Sequence, residues 1–296
     1  MKYVVRVLLL IVLALPLSVF AQSEDDITID DIENAFAALY KNDSIRMEGE
    51  TIVDQTITFS GSVIEQTIVQ DITGEMQFED TQLIGLTSQL NQTLTANSMG
   101  TTTEGSMLME MIYVDEILYM KVSETTGALV GIYPDGWINL TEDGDSVEAL
   151  ALLNLDNLLN TFNKPLLYPL DDTTVNSFKS VEVDPELKLP EGTMAYALDI
   201  NAEAAFNSAD MASLFSGFEQ LGIDMEDLLA QMAQGAGFDV TVYLLDEQVI
   251  RIEAIMTIDA EITVSGLALQ LVQSSSSIVS YTDFNFPLEI TAPEEE

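Results

Sequence analysis

The chain has 296 residues and no histidine or cysteine, and 50 acidic residues against 9 basic ones give a formal net charge of −41 at pH 7. This composition excludes disulfides, thiolate and imidazole metal ligands and the usual general base near neutral pH, and the charge repels nucleic acids and anionic membranes. Because 47% of the residues are hydrophobic and only 20% are charged, we expect a folded chain rather than a disordered one.

The N-terminus has the pattern of a targeting segment. A basic start with Lys2 and Arg6 precedes an apolar run to Leu15 and a small-residue cleavage signal that ends at Ala21. We predict a signal peptide over residues 1–21, cleaved after Ala21 and not lipidated, because the chain has no cysteine. A retained membrane anchor is the alternative, since the apolar stretch is just long enough to span a bilayer.

The next elements are a helix and long strands. Asp30 and Glu33 have the spacing of a capping box and predict a helix that begins near Asp30. Apolar and polar residues then alternate with period two over 45–59 and 62–72, which is typical of antiparallel strands with one face in water. The Thr-, Ser-, Gln- and Asn-rich stretch predicts a strand at 82–96 and a flexible turn at 97–106.

Residues 107–122, MLMEMIYVDEILYMKV, predict a hairpin with an unusual face. A two-residue loop at Asp115 and Glu116 pairs Val114 with Ile117, Ile112 with Tyr119 and Glu110 with Lys121, and paired residues share a face. The other face then carries Met107, Met109, Met111, Tyr113, Leu118, Met120 and Val122.

Helices and strands alternate in the rest of the chain. A leucine-dense helix is predicted over 145–160 and a helical stretch over 209–234. Because no linker or fixed repeat divides the chain, we predict a single domain over 22–296 that ends in a short acidic C-terminal tail. The remaining predicted strands are 177–184, 193–200, 238–245, 248–258, 261–272 and 276–285.

Three short motifs carry a family resemblance. YVDEILYMKV at 113–122, GWINL at 136–140 and YTDFNFPLEITAP at 281–293 resemble the hairpin, tryptophan and closing-strand motifs of the LolA-like and LppX/LprG-like bacterial lipid carriers. The resemblance implies an α+β fold, in which one curved antiparallel sheet forms a half-barrel with helices packed on its concave face. Two departures are the missing lipidated cysteine and Glu116 at the usual turn glycine, which predicts a longer or distorted loop.

The resemblance also implies an apolar cavity between the sheet and the helices. Methionine is flexible and polarisable, which suits a surface that adapts to varied hydrocarbon. Ordinary core packing is the alternative, because methionine is also a common core filler. The residues predicted to line the cavity are Met47, Met107, Met109, Met111, Tyr113, Leu118, Met120 and Trp137.

Together these features predict an exported binder or carrier of lipid or another long apolar molecule. We expect a secreted or cell-envelope monomer with no enzymatic activity, no metal, no cofactor and no nucleic-acid partner, which could also contact a membrane or an envelope protein. One alternative is an extracytoplasmic sensor or regulatory domain of the same fold that binds a protein partner. The other is an acidic, calcium-dependent surface module, although TEDGDSVE at 141–148 lacks the spacing of a calcium-binding helix–loop–helix motif.

Overall fold

The computed structural model of the protein describes residues 27–127, 129–130, 136–143, 170–171, 173–208, 224–264 and 267–294. This part of the chain is mainly β, with 62% in strands and 14% in helices. The predicted α+β class, a half-barrel built around helices, is therefore wrong. The predicted signal peptide at 1–21 and the leucine-dense helix at 145–160 lie outside the described residues.

The described strands all belong to one antiparallel sheet. Their bounds are β1 (Ser44–Phe59), β2 (Ser62–Glu79), β3 (Gln82–Ser98), β4 (Thr101–Val114), β5 (Ile117–Gly127), β6 (Trp137–Asn139), β7 (Val175–Val181), β8 (Met194–Ile200), β9 (Ala236–Leu245), β10 (Gln248–Val264) and β11 (Leu267–Thr282). The order across the sheet is β6-β5-β4-β3-β2-β1-β11-β10-β9-β8-β7. Two meanders, β1 to β6 and β7 to β11, therefore meet along a seam between the first and the last strand.

Two-residue turns of one kind connect many of these strands. In the β4–β5 turn, Asp115 has a φ of 54° and Glu116 a φ of 64°, the left-handed backbone that twists in the same sense as the paired strands. The loop is therefore neither longer nor distorted, although it lacks the expected glycine. The predicted register is confirmed, with Val114 opposite Ile117, Ile112 opposite Tyr119 and Glu110 opposite Lys121.

Two stretches rich in hydroxyl side chains differ from the prediction. The flexible turn predicted at 97–106 is wrong, because only Met99 and Gly100 form a turn there and β4 begins at Thr101. Threonine is a good strand former, and here it occupies both faces. The three strands predicted over 248–285 are two longer strands, β10 and β11, because the serine run of β11 continues the ladder instead of breaking it.

The described helices are short. They are α1 (Ile29–Leu39), α2 (Leu140–Asp143), α3 (Ala202–Phe206) and α4 (Met225–Ala233), with a 3-10 turn at Pro185–Leu187. The capping box of α1 is formed by Thr28 and Asp31 rather than by Asp30 and Glu33. Asp31 Oδ2 accepts a hydrogen bond of 2.7 Å from the Thr28 backbone N–H. Asp224 caps α4 in the second part of the predicted 209–234 stretch, and residues 209–223 lie outside the described residues.

The two faces of the sheet differ in character. We call the helix-covered side the inner face: α1 and α4 pack against β10, and Phe36, Leu228 and Met256 share one buried cluster. The outer face is mixed: on β1 it presents Glu48 and Asp54 to solvent, with the exposed Ile52 between them. Within the described ranges, no helix has the length and apolar character needed to cross a membrane.

The C-terminal segment, residues 283–294, forms neither a helix nor a strand and contacts the end of the sheet at β1. The Asn285 backbone N–H donates to the Ser44 carbonyl over 2.9 Å, and Arg46 forms an ion pair with Asp283. The Arg46 guanidinium carbon also lies 4.9 Å from the centre of the Phe286 ring. This segment is therefore attached to β1 by side chains and backbone, although it adds no strand to the sheet.

Candidate functional site on the inner face

The methionine side of the β4–β5 hairpin belongs to the inner face. Met107, Met109 and Met120 are buried, with exposed fractions of 3%, 8% and 1%, and they share a hydrophobic cluster with the predicted lining residue Leu118. Met111 lies directly opposite Met120 but is only half-buried against that cluster. The one-sided arrangement predicted for the hairpin is therefore present, and Met111 is its accessible member.

Tyr113 and Met47 lie on the same face. Tyr113 pairs with Leu86 of β3 and Leu118 of β5 and is half-buried. Burial raises the pKa of the Tyr113 hydroxyl, and the nearby Glu116 carboxylate raises it further. Met47 extends the methionine surface to β1, where it is buried in the helix-covered cluster.

A row of directly opposed residues crosses the inner face between these methionines. It runs from Met47 through Gly74, Ser88 and Met111 to Met120. A Cβ added at Gly74 would lie 3.1 Å from Met47 Cε, so the methionine methyl already lies over the glycine. The absence of a side chain at Gly74 therefore lets the flexible end of Met47 pack directly against the sheet at the middle of the row.

A partly exposed apolar area lies along this row, with buried small residues at its middle. We call it the central patch and define it by the partly exposed Gly49, Ile72, Leu90 and Met111 and the buried Gly74 and Ser88. Ile72, Leu90 and Met111 are partly exposed, and they pack between the two main hydrophobic clusters. The central patch is therefore apolar surface, with small residues among larger ones, that the described residues leave only partly covered.

Trp137 does not belong to this face. It lies directly opposite Lys121 on β5, and Lys121 lies opposite Glu110 on the outer face. The Lys121 Nζ atom is 5.8 Å from the centre of the indole ring, a cation–π distance. The Trp137 side chain therefore lies on the other side of the sheet from the methionines of the hairpin, because β6 presents Ile138 to the inner face.

The inner face also carries buried polar side chains that the sequence analysis missed. Gln70 Nε2 donates to Gln92 Oε1 over 3.0 Å. Gln55 Nε2 donates to Gln273 Oε1, also over 3.0 Å, and Gln66 Nε2 donates to Gln55 Oε1. We call this set the polar band, and its buried members are Gln55, Gln66, Gln70, Gln92, Gln273, Ser275 and Ser277.

The polar band borders the central patch. Gln70 and Gln92 lie two residues from Ile72 and Leu90 on the same strands, a separation of about 7 Å along a strand. All of the buried polar side chains in the described ranges are uncharged. The inner face therefore places neutral amides beside accessible apolar surface.

Two buried hydroxyls on this face have no hydrogen-bond partner among the residues that the structure describes. Ser88 Oγ, in the central patch, and Ser275 Oγ, in the polar band, are buried and form no hydrogen bond with any described residue. A buried hydroxyl without a partner costs free energy. An incoming polar atom that bonded to either hydroxyl would remove that cost.

A sequence signal for the polar band existed. In the alternating stretch 62–72, the residues Ile64, Ile68 and Ile72 share one parity, which predicts that they face inward. Gln66 and Gln70 have the same parity as these isoleucines, so they had to face inward as well. Glutamine at two such positions interrupts an apolar face and indicates buried polar contacts.

The outer face offers two shallow grooves and no described metal cluster. The grooves have volumes of about 350 Å³ and about 400 Å³. The first is bordered by Gln89, Glu110 and Trp137. Among the residues that the structure describes, no three or more acidic side chains are grouped so that they could hold a metal ion. Residues 144–148 of the acidic stretch considered for calcium lie outside the described residues.

No family model matches the chain, and no curated protein matches it. Solved structures with some likeness include the outer membrane protein OprG from Pseudomonas aeruginosa, at 8% identity and a TM-score of 0.21 over 81% of this chain and 96% of that one. A DUF1329 family protein from Desulfovibrio piger has 8% identity and a TM-score of 0.20 over 89% and 93%. The translocator domain of the autotransporter NalP from Neisseria meningitidis has 11% identity and a TM-score of 0.21 over 86% and 94%.

Likenesses with these TM-scores carry no argument about the fold or the function of this chain. The resemblance to the LolA-like and LppX/LprG-like carriers stays a prediction that rests on three short motifs. The candidate site is therefore argued from the side chains of the inner face alone.

Proposed function

We propose that this protein is an exported binder or carrier of a long apolar or amphiphilic molecule, which it holds without covalent chemistry against the inner face. Export is supported by the basic and apolar start of the chain with its cleavage signal at Ala21. The site is the central patch with the methionines on either side of it.

One observation carries the proposal. Met47 and Met111 border Gly74 and Ser88 at the middle of the inner face, and Met111 stays half-exposed while Met120 beside it is buried. Partly covered apolar surface of this kind is typical of ligand-binding sites. The methionine side chains have three rotatable bonds and can repack around chains of different shape.

The driving force is the removal of hydrocarbon from water. Each Å² of apolar surface that ligand and protein cover contributes roughly 25 cal/mol. The free energy of burying apolar surface does not depend on direction. It therefore selects ligands by the length and hydrophobicity of their chain rather than by one specific structure. The central patch therefore suits a class of chains more than a single ligand.

The first experiment looks for the ligand itself. Protein purified from a bacterial host is extracted with organic solvent, and the extract is analysed by mass spectrometry. Delipidated protein is then titrated with a fluorescent fatty-acyl probe. We expect a co-purifying apolar molecule and saturable probe binding. An extract without such a molecule, together with no probe uptake, would overturn the proposal.

The second experiment locates the site with matched variants. Met111→Asp introduces a charge into the central patch, where it would have to be desolvated or admit water. Ile112→Asp introduces the same charge at the next residue of β4, on the outer face. We expect Met111→Asp to lose probe binding and Ile112→Asp to keep it. Equal losses in two folded variants would place the ligand elsewhere, and Met111→Gln serves if Met111→Asp does not fold.

A further inference from the structure

We infer that the ligand is an amphiphile with an uncharged polar end, which is recognised by the amides and the free hydroxyl beside the central patch. This inference rests on the proposed function and adds the chemical class of the head group. It starts from the neutrality of the inner face. The buried polar side chains of the described residues are asparagine, glutamine, serine and threonine, without a lysine, arginine, aspartate or glutamate.

Among the residues that the structure describes, the buried polar side chains offer a charged head group no counter-ion. Moving a carboxylate or phosphate out of water costs several kcal/mol unless a cation or several hydrogen bonds replace the lost hydration. A formal net charge of −41 adds repulsion toward any anion that approaches the protein. A cationic head group would be attracted from a distance, but none of the buried polar side chains in the described ranges is a carboxylate that could pair with it.

An uncharged polar group fits the side chains that are present. Each glutamine amide has two N–H donors and a carbonyl acceptor, and each serine hydroxyl both donates and accepts. Ser88 Oγ lies within the central patch and is buried without a described partner. The Gln70–Gln92 pair lies along the same strands, about 7 Å away. An alcohol, an ester or an amide could therefore bond here while its chain covers Leu90 and Met111.

The geometry also gives the head group a direction. On β3 the inward residues are Ser88, Leu90 and Gln92 in order, so an apolar position lies between two polar ones. A chain that follows the methionines of β4 leaves its polar end near β2 and β3, at Gln70 or Ser88. This arrangement recognises one end of a molecule rather than its whole length.

The test uses three ligands with the same alkyl chain and different ends: decanol, decanoate and decyltrimethylammonium. Each ligand is titrated against the full-length protein loaded with the fluorescent acyl probe at neutral pH, and the displacement of the probe is measured. We expect decanol to bind at least about tenfold more tightly than either ion, since the ions alone lose the hydration of a full charge. Decanoate or decyltrimethylammonium binding as tightly as decanol would overturn the inference and leave the proposed function standing. No displacement by any of the three, with no probe uptake, would overturn the proposed function itself.

Variants separate the head-group contact from general packing. Ser88→Ala removes the free hydroxyl, and the double variant Gln70→Leu with Gln92→Leu removes both partners of one hydrogen bond. Gln89→Leu is the matched control, because Gln89 follows Ser88 on β3 but is exposed on the outer face. We expect the preference for decanol to shrink in the two inner-face variants and to persist in Gln89→Leu. An unchanged preference in both inner-face variants would overturn the assignment of these side chains.

Discussion

Gln55 of β1 and Gln273 of β11 form a hydrogen bond of 3.0 Å inside the buried face of the sheet, and the two residues are 218 positions apart. Gln55 donates in this bond through its side-chain N–H, and its own side-chain carbonyl oxygen accepts from Gln66 of β2. Three amides on three strands therefore form one chain of hydrogen bonds across the seam. Its members depend on one another, because a buried amide that loses its partner also loses the compensation for its desolvation.

The first prediction follows from this dependence. Gln55→Leu removes the central amide, so that the Gln66 N–H loses its acceptor and the Gln273 carbonyl oxygen loses its donor. We therefore expect the free energy of unfolding to fall by about 1–3 kcal/mol. The triple variant with leucine at positions 55, 66 and 273 has no orphaned amide and should lose less than the single variant. Urea unfolding followed by circular dichroism measures both. A triple variant that is less stable than Gln55→Leu would contradict the prediction.

The second prediction concerns the methionines. Replacing Met109, Met111 and Met120 together with leucine should leave the fold intact, because each such swap costs less than about 1.5 kcal/mol. Leucine is stiffer than methionine, so the range of acyl chains that displace the probe should narrow. Melting temperature and a displacement series over chain length test the two parts. An unchanged ligand range would mean that the methionine side chains serve packing alone.

The third prediction uses the difference between two paired methionines. Met120 is 1% exposed, whereas Met111 opposite it is half-buried. A buried charge without a partner is far more costly than a partly solvated one, so Met120→Asp should lower the melting temperature much more than Met111→Asp. Equal losses of stability would show that the central patch is as closed as the surrounding core.

The fourth prediction concerns alkaline pH. Burial, together with the hydrogen bond of 3.0 Å to Glu253, raises the pKa of Tyr243 to about 12, and an unfolded tyrosine titrates near about pH 10. The folded state therefore keeps this proton at pH values where the unfolded state has lost it. The contribution of the Tyr243 hydroxyl to the free energy of unfolding is complete below about pH 10. Above that pH it falls by about 1.4 kcal/mol per pH unit until the pKa of the folded state is reached.

The Tyr243→Phe variant tests this sign. Its stability should decline less steeply than that of the parent between about pH 10 and about pH 12. Comparison of the two proteins near neutral pH removes the effect of the lost hydroxyl on packing. Tyr281 is also buried, which raises its pKa, so part of the alkaline loss should remain in the variant. Identical slopes in the two proteins would contradict the assignment to Tyr243.

The fifth prediction concerns salt. Asp199 and Asp239 lie directly opposite each other on β8 and β9, and both are exposed. Like charges in this position destabilise a sheet, and salt screens them over about 10 Å at 0.1 M. We expect the melting temperature to rise with salt and Asp239→Asn to be more stable than the parent at low salt only. Glu261→Gln is the control, because Glu261 faces the neutral Gln270, and it should gain less.

Local patterns were the part of this fold that could be predicted from the sequence. The pairing of Glu110 with Lys121 follows from one hairpin and its two-residue turn. It does not depend on any contact between residues that are far apart in the sequence. The side of Trp137 could not be assigned in the same way. Its strand has three residues, which is too few for a parity pattern, and its register against β5 is a tertiary contact.

The polar band shows why part of the candidate site was missed. A rule that places apolar side chains inside and polar ones outside assigns Gln66 to solvent, although Ile64 and Ile68 on either side of it face inward. Gln66 is tolerated there because Gln55, on the neighbouring strand, accepts its hydrogen bond. Its burial therefore depends on which strands become neighbours, and one strand's sequence contains that information only in part.

The seam between β1 and β11 also determines the order in which the chain can fold. Thr51 and Ser277 share a hydrogen bond across it and are 226 residues apart. The entropic cost of closing a loop grows with the logarithm of its length and reaches about 5 kcal/mol for a loop of that length. The two-residue hairpin loops are far shorter, so their closure costs much less. The hairpins should therefore form in microseconds, and the seam should set the folding rate. Until β11 is made, the free edge of β1 can pair with a second copy of the chain, and aggregation during synthesis is expected to begin at this edge.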